Sequence, residues 1–131
     1  CRANKGVKSP GAYYYEVTVL EDGPIRIGWS TNDASLELGI DNCGFGYGSD
    51  LTTAYGINNP KAGRAMHRGR PIDYGVSVTK GSIIGCLINL DNGSVSWTHN
   101  GSVIEPAFTI PEQMRGESFL PGSLCYQPCM Y

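Results

Sequence analysis

IIGCLINLDNGSVSWTHNG, residues 83–101, carries the pattern that decides the fold. Residues 83–90 are apolar at both parities, as a central strand covered on two sides requires. Asp91, Asn92 and Gly93 supply turn chemistry, and residues 94–99 then alternate, with Val95 and Trp97 on one face and Ser96 and Thr98 on the other. Asn100-Gly101 is the favoured pair for a two-residue type I′ hairpin, because both central positions need a positive φ. Residues 102–110 are expected to return beside this strand and residues 119–126 to add a last one, the whole forming an antiparallel meander.

Working outward, YYYEVTVL (13–20) sets Tyr13, Tyr15, Val17 and Val19 on one face and Glu16 and Thr18 on the other. Glu21-Asp22-Gly23-Pro24 is a turn, and residues 25–31 read as a second strand. Residues 33–41 read as irregular or as a single helical turn. In CGFGYG (43–48), one face carries Cys43, Phe45 and Tyr47 and the other only glycine, so another segment can lie close against its backbone. Residues 50–81 read as a long loop with short apolar hints near Tyr55 and 76–78, and loops of that length are usually functional or disordered. No segment holds a helical period for three turns. The expected fold is an all-β, antiparallel two-sheet β-sandwich.

With 131 residues, the chain fits one domain with a sizeable core. Its 18 glycines and 8 prolines fall between the apolar runs, where tight turns need them. No stretch approaches the ~18 apolar residues of a membrane span. The first residue is Cys1 and not Met, and the chain is expected to be a single domain cut from a larger multidomain protein. The five cysteines form none of the close pairs of zinc or redox motifs. Cys125 and Cys129, on one strand, would stand about 13 Å apart, beyond disulfide reach. Free thiols in a reducing, intracellular compartment (nuclear or cytoplasmic) are expected.

Taken in order, these residues resemble the SPRY domain. The resemblance rests on Arg2-Ala3-Asn4-Lys5-Gly6 and Gly11-Ala12-Tyr13-Tyr14-Tyr15-Glu16-Val17, then Ile25-Arg26-Ile27-Gly28-Trp29-Ser30, then Leu38-Gly39 leading to Phe45-Gly46-Tyr47-Gly48. It continues through Ile84-Gly85-Cys86-Leu87-Ile88-Asn89-Leu90-Asp91 and Val95-Ser96-Trp97-Thr98-His99-Asn100-Gly101 to Phe119-Leu120-Pro121. Within the family the chain is similar to the SPRY insert of DEAD-box RNA helicases, and next to the SPRY domains of a histone-methyltransferase subunit and of ryanodine receptors. The resemblance implies a concanavalin-like jelly roll and a non-catalytic module that recognises a peptide segment, an acidic one among the candidates.

Seven of the ten Lys and Arg residues lie in two acid-free segments, Arg2, Lys5 and Lys8 in one and Lys61, Arg64, Arg68 and Arg70 in the other. The second segment reads either as a solvated loop or as a basic rim for acidic peptide or phosphate, where the arginine fork suits a bidentate partner. An RNA-contacting accessory role is the alternative, although a net charge of −2 gives no bulk attraction to nucleic acid. Arg26, between Ile25 and Ile27, faces away from them, so it lies on an outer or concave surface if they face the core. The resemblance to the methyltransferase subunit implies that Arg2 and Arg26 join a pocket for an acidic partner segment. The structural alternative for Arg26 is burial against a carboxylate such as Glu16. Resemblance to SPRY adaptors of ubiquitin ligases implies peptide-binding roles for Tyr55 and Tyr126, which could equally be core residues.

Trp29, Trp97, Phe45 and Phe108 read as packing residues. The two histidines, His67 and His99, are too few and too scattered for a metal set, and no Ser or Cys has a nucleophile's setting. No cofactor, metal, membrane contact or enzymatic activity is expected, and the fragment is expected to be monomeric.

Overall fold

Period-two alternation gives ten strands among the described residues, which in this computed structural model are 2–21, 25–49 and 62–125. In chain order they are β1 (Ala12–Thr18), β2 (Ile25–Ser30), β3 (Gly44–Ser49), β4 (Ala62–His67), β5 (Arg70–Val76), β6 (Ile83–Asn89), β7 (Ser94–His99), β8 (Ser102–Val103), β9 (Phe108–Thr109) and β10 (Leu120–Cys125). One antiparallel sheet runs β1-β6-β7-β8, with β9 also on β7; the other runs β10-β2-β3-β4-β5. The two-sheet β-sandwich expected from the sequence is the fold observed.

The doubly apolar run 83–89 is central, flanked by β1 (Tyr15 opposite Cys86) and β7 (Cys86 opposite Trp97). Asn100 (φ 51°) and Gly101 (φ 84°) make the expected turn. Ile84, Cys86, Ile88, Val95 and Trp97 of this sheet meet Ile27, Trp29, Phe45 and Tyr47 of the other, all buried. Three polar groups are paired across the gap, whereas the buried Trp29 Nε1 has no partner among the described residues. Trp97 Nε1 donates to Ile27 O at 3.0 Å, Tyr15 Oη donates to Gly28 O, and Trp97 N donates to Tyr74 Oη at 3.2 Å.

Two expectations are corrected. The 102–126 stretch does not extend a meander: Glu105-Pro106 interrupts the ladder, leaving the two-residue strands β8 and β9 on one edge of β7. The chain then turns through a 3-10 segment, Glu112–Met114, and β10 crosses to the second sheet to pair with β2, Gly122 opposite Gly28. Nor is 62–76 a loop. It is the β4–β5 hairpin, closed by Arg68 (φ 57°) and Gly69 (φ 69°). Pro71, Gly63 and Gly75 hide its alternation, and Pro71 is tolerated because β5 is an edge strand, where one row of backbone groups needs no ladder partner. Tyr55 and the rest of the 50–61 stretch lie outside the described residues.

The glycine face of β3 receives the chain's own loop 31–43, a run of turns with no helical turn. A Cβ added at Gly46 would sit 3.3 Å from Leu38 Cγ and 3.4 Å from Arg26 Cβ; at Gly44 it would sit 3.2 Å from Gly39 N. Gly46→Val is therefore expected to lift the loop without unfolding the sandwich, at a cost of about 1–3 kcal/mol. Urea unfolding measures the loss, which should come with amide shifts concentrated at residues 34–41.

Candidate functional site

Loop 31–43 is held by groups from three other parts of the chain. The N-terminal segment runs beside β10, bridging Arg2 to Gly122 and Val7 to Phe119, which brings the half-buried Arg2 guanidinium over the end of β2. Its Nη1 donates to Thr31 O and Ala34 O, each at 2.8 Å, and reaches Ser30 Oγ at 3.5 Å. From the sheet below, Arg26 Nη1 donates to Leu38 O at 2.8 Å and lies 2.9 Å from Met66 Sδ. From the side, the backbone of the β4–β5 turn donates to the loop, Arg68 N to Asp41 O (3.0 Å) and Gly69 N to Gly39 O (2.9 Å). Asp41 ties the loop internally, accepting from Ser35 N (2.7 Å) and Cys43 N (3.0 Å).

The predicted site residues thus divide. Arg26 is on the outer face of its sheet, as its parity with Ile25 and Ile27 implies, but the loop covers it and it is 4% exposed. It supports the loop and is not open to a partner in this conformation. Glu16, the carboxylate considered as its partner, stands on the other sheet and accepts from Tyr14 Oη at 3.1 Å. Arg64, in register with Asp73 across β4 and β5, forms an ion pair with it at 3.0 Å. Arg68 and Arg70 are exposed on either side of the turn, and Arg2 is half-buried at the opposite end of the loop. Lys61, Tyr55 and Tyr126 lie outside the described residues. Two apolar residues not singled out by sequence join the surface: Leu36, 58% exposed, and Ile40, 46% exposed. In the run Leu36, Leu38, Ile40 only Leu38 faces the sheet, which alternation alone could not assign without knowing what the loop packs on.

His67 couples this surface to the core. Its ring stacks on Phe45 (centroids 4.2 Å apart, planes 14° apart) and abuts Phe108 at 5.5 Å. Nδ1 donates to Gly44 O at 2.9 Å, which leaves Nε2 as a buried acceptor with no partner among the described residues. Burial lowers the pKa of His67, opposed by the Gly44 bond and assisted by the charge of Arg68. Burial also lowers that of His99. Nothing in the described residues has the setting of a reactive group. Burial pushes the Cys86 thiol up to about 12, so it stays protonated, and among the described residues no cluster of three His, Cys, Asp or Glu side chains could hold a metal.

A histidine held below its unfolded pKa favours the native state above that unfolded value, near 6.5, and loses this contribution as pH falls through the folded value. Thermal unfolding between about pH 7.5 and 5.5 is therefore expected to show a falling midpoint. His67→Phe should retain only the shallower dependence due to His99; an unchanged slope in that variant would contradict the assignment.

A family model described as "SPRY domain" matches residues 12–130. The chain is 38% identical over 121 residues to an ATP-dependent RNA helicase Ddx1 of Drosophila melanogaster, covering 92% of this chain and 15% of the relative. It is 38% identical over 119 residues to the ATP-dependent RNA helicase DDX1 of Xenopus laevis (91% and 14%), and 34% over 108 residues to a probable ATP-dependent RNA helicase ddx1 of Dictyostelium discoideum (82% and 12%). The chain thus spans about a seventh of these relatives' length. SPRY domains are non-catalytic modules, commonly of protein interaction. With two sheets, the Gly-aromatic strand and nearly the whole length matched, the chain belongs to the SPRY domain family.

Proposed function

We propose that this domain recognises an acidic peptide segment of a partner protein, on the surface formed by Arg2, loop 31–43 and the β4–β5 turn. The observation that carries the reading is Arg2. Its guanidinium is half-buried and oriented by two backbone carbonyls, and it has no carboxylate partner among the described residues. A cation already fixed in orientation gives up little freedom when a partner carboxylate arrives, and charge-assisted hydrogen bonds are the strong ones. Arg68 and Arg70 add exposed charge beyond the far end of the loop, with Leu36 and Ile40 as apolar contacts between. Arg26 acts from beneath, by holding Leu38. Tyr55 and Tyr126 remain in the proposed contact set on the family resemblance alone, and Lys61 on its place in the acid-free basic segment of the sequence.

Three features favour peptide over RNA. Arg64 is neutralised by Asp73, the loop carries exposed Asp33 and Glu37, and the net charge is −2. The cationic field is therefore local, whereas nucleic-acid affinity draws on many phosphate contacts at once. The domain is proposed to be monomeric on its own and to serve as one module of a larger intracellular protein, nuclear or cytoplasmic. The relatives' length supports the last point, and the free thiols of Cys43 and Cys86 suit a reducing compartment.

An array of acidic peptides with interspersed apolar residues, followed by anisotropy titration of the best binder, tests the reading. Arg68→Glu with Arg70→Glu is expected to weaken binding at least about tenfold with little change in stability, because both positions are exposed. Arg2→Ala should weaken it as well. Unchanged affinity in both variants would contradict the proposal. Binding of single-stranded RNA instead, falling steeply between about 50 and 200 mM salt, would assign the surface to nucleic acid.

A further inference from the structure

The solvent side of loop 31–43 carries its charges in a fixed order. Leu38 is buried against the sheet, and Glu37 beside it in sequence is exposed. The backbone of Glu37 is pinned on both sides: its N donates to Ser35 Oγ at 3.0 Å and its O accepts from Ile40 N at 3.1 Å. Its carboxylate makes no hydrogen bond or ion pair among the described residues. In the chain Glu37 falls between the two places where the loop is clamped. Arg2 holds the Ala34 carbonyl on one side, and the β4–β5 turn donates to Gly39 O and Asp41 O on the other. The exposed Leu36 and Ile40 flank it.

Strand register gives the scale. Ser30 is opposite Gly44, and the pairing of Gly46 with Met66 puts Arg68 in the same row as Gly44. Ser30 and Arg68 are thus two strand spacings apart, about 10 Å. The Arg2 guanidinium stands at the Ser30 end, 2.8 Å from Thr31 O. The order across the loop is therefore cation, anion, cation: Arg2, Glu37, Arg68. That distance is within the reach of three or four residues of an extended chain. Neither arginine is ion-paired with Glu37. Exposed charges are screened over about 8 Å at physiological salt, so each acts on the part of a ligand directly above it and not as a share of one net field.

Resting on the peptide reading of this surface, we infer that the partner segment carries acidic residues at both ends and a lysine or arginine between them, with apolar residues on either side, and that Glu37 is the residue that selects this order. A uniformly acidic segment would set one of its carboxylates against Glu37, and like charges brought together across an interface count against the wrong partner. A central cation turns that repulsion into attraction. Asp33, also exposed, adjoins the Ala34 held by Arg2 and so lies at one end of the row, where it bears on an end of the segment and not on its centre.

Fluorescein-labelled Glu-Glu-Leu-Lys-Leu-Glu-Glu, and two peptides with alanine or glutamate in place of the lysine, titrated into the 131-residue chain by anisotropy are the test. The lysine peptide is expected to bind about three- to tenfold more tightly than the glutamate peptide, with the alanine peptide between them. Glu37→Lys, a change at an exposed position, should reverse this ranking. Asp33→Lys alters net charge by the same amount and should strengthen all three peptides while preserving their order. Equal binding of the three peptides by the wild type, or an unchanged ranking in Glu37→Lys, would overturn the inference and leave the peptide reading standing. Absence of saturable binding by all three would overturn both.

Discussion

Two guanidinium groups donating to the carbonyls of one loop fix the surface of this domain. Loop 31–43 has too little regular structure to satisfy its own backbone, and carbonyls turned toward a protein surface need donors. Arg2 supplies them for Thr31 and Ala34, and Arg26 for Leu38. Hydrogen bonds from a charged donor contribute about 1.5–3 kcal/mol each, so three of them outweigh the tendency of a chain of turns to fray. The glycine face of β3 is the other half of the arrangement, because only an almost bare strand lets Leu38 and Gly39 approach so closely.

Much of the framework was legible in residues close together in sequence. The strand at 83–89, the Asn100-Gly101 turn, the inward set Val95 and Trp97, and the bare face of 43–48 are local patterns, and local patterns survive folding when the tertiary contacts agree with them. The β4–β5 hairpin was not legible. Its turn is Arg68-Gly69, and its second strand contains Pro71, tolerable only because β5 is an edge. The crossing of β10 to the other sheet was equally hidden, since pairing partners distant in sequence leave no periodic trace. For Arg26 the sequence correctly gave the face but could not show the cover: whether a loop folds back over an arginine depends on contacts 12 residues away, Arg26 to Leu38, and 40 residues away, Arg26 to Met66. Arg64 and Asp73 read as members of a basic stretch and its acidic boundary until register made them a pair.

The interior and the surface answer to different constraints. Between the sheets, Trp97, Tyr15, Tyr47 and Tyr74 combine ring packing with hydrogen bonds directed at particular backbone or side-chain atoms, so their positions are over-determined. Outside, the exposed side chains of Leu36, Ile40, Arg68 and Arg70 contribute little to that network. His67 is the junction, bonded to Gly44 at the foot of the loop and stacked on Phe45 of the core. Such a division suits a recognition module, in which a rigid sandwich carries a surface whose chemistry can be altered without refolding it.

Amide hydrogen exchange of the 131-residue chain, with and without an acidic peptide bound, tests the central claim most directly. If the arginine-held loop is the partner-facing platform, bound peptide will slow exchange at residues 36–41 and at the 67–70 turn and leave β1, β6 and β7 unchanged. Protection confined to the first sheet, with loop 31–43 exchanging as in the free chain, would contradict the account.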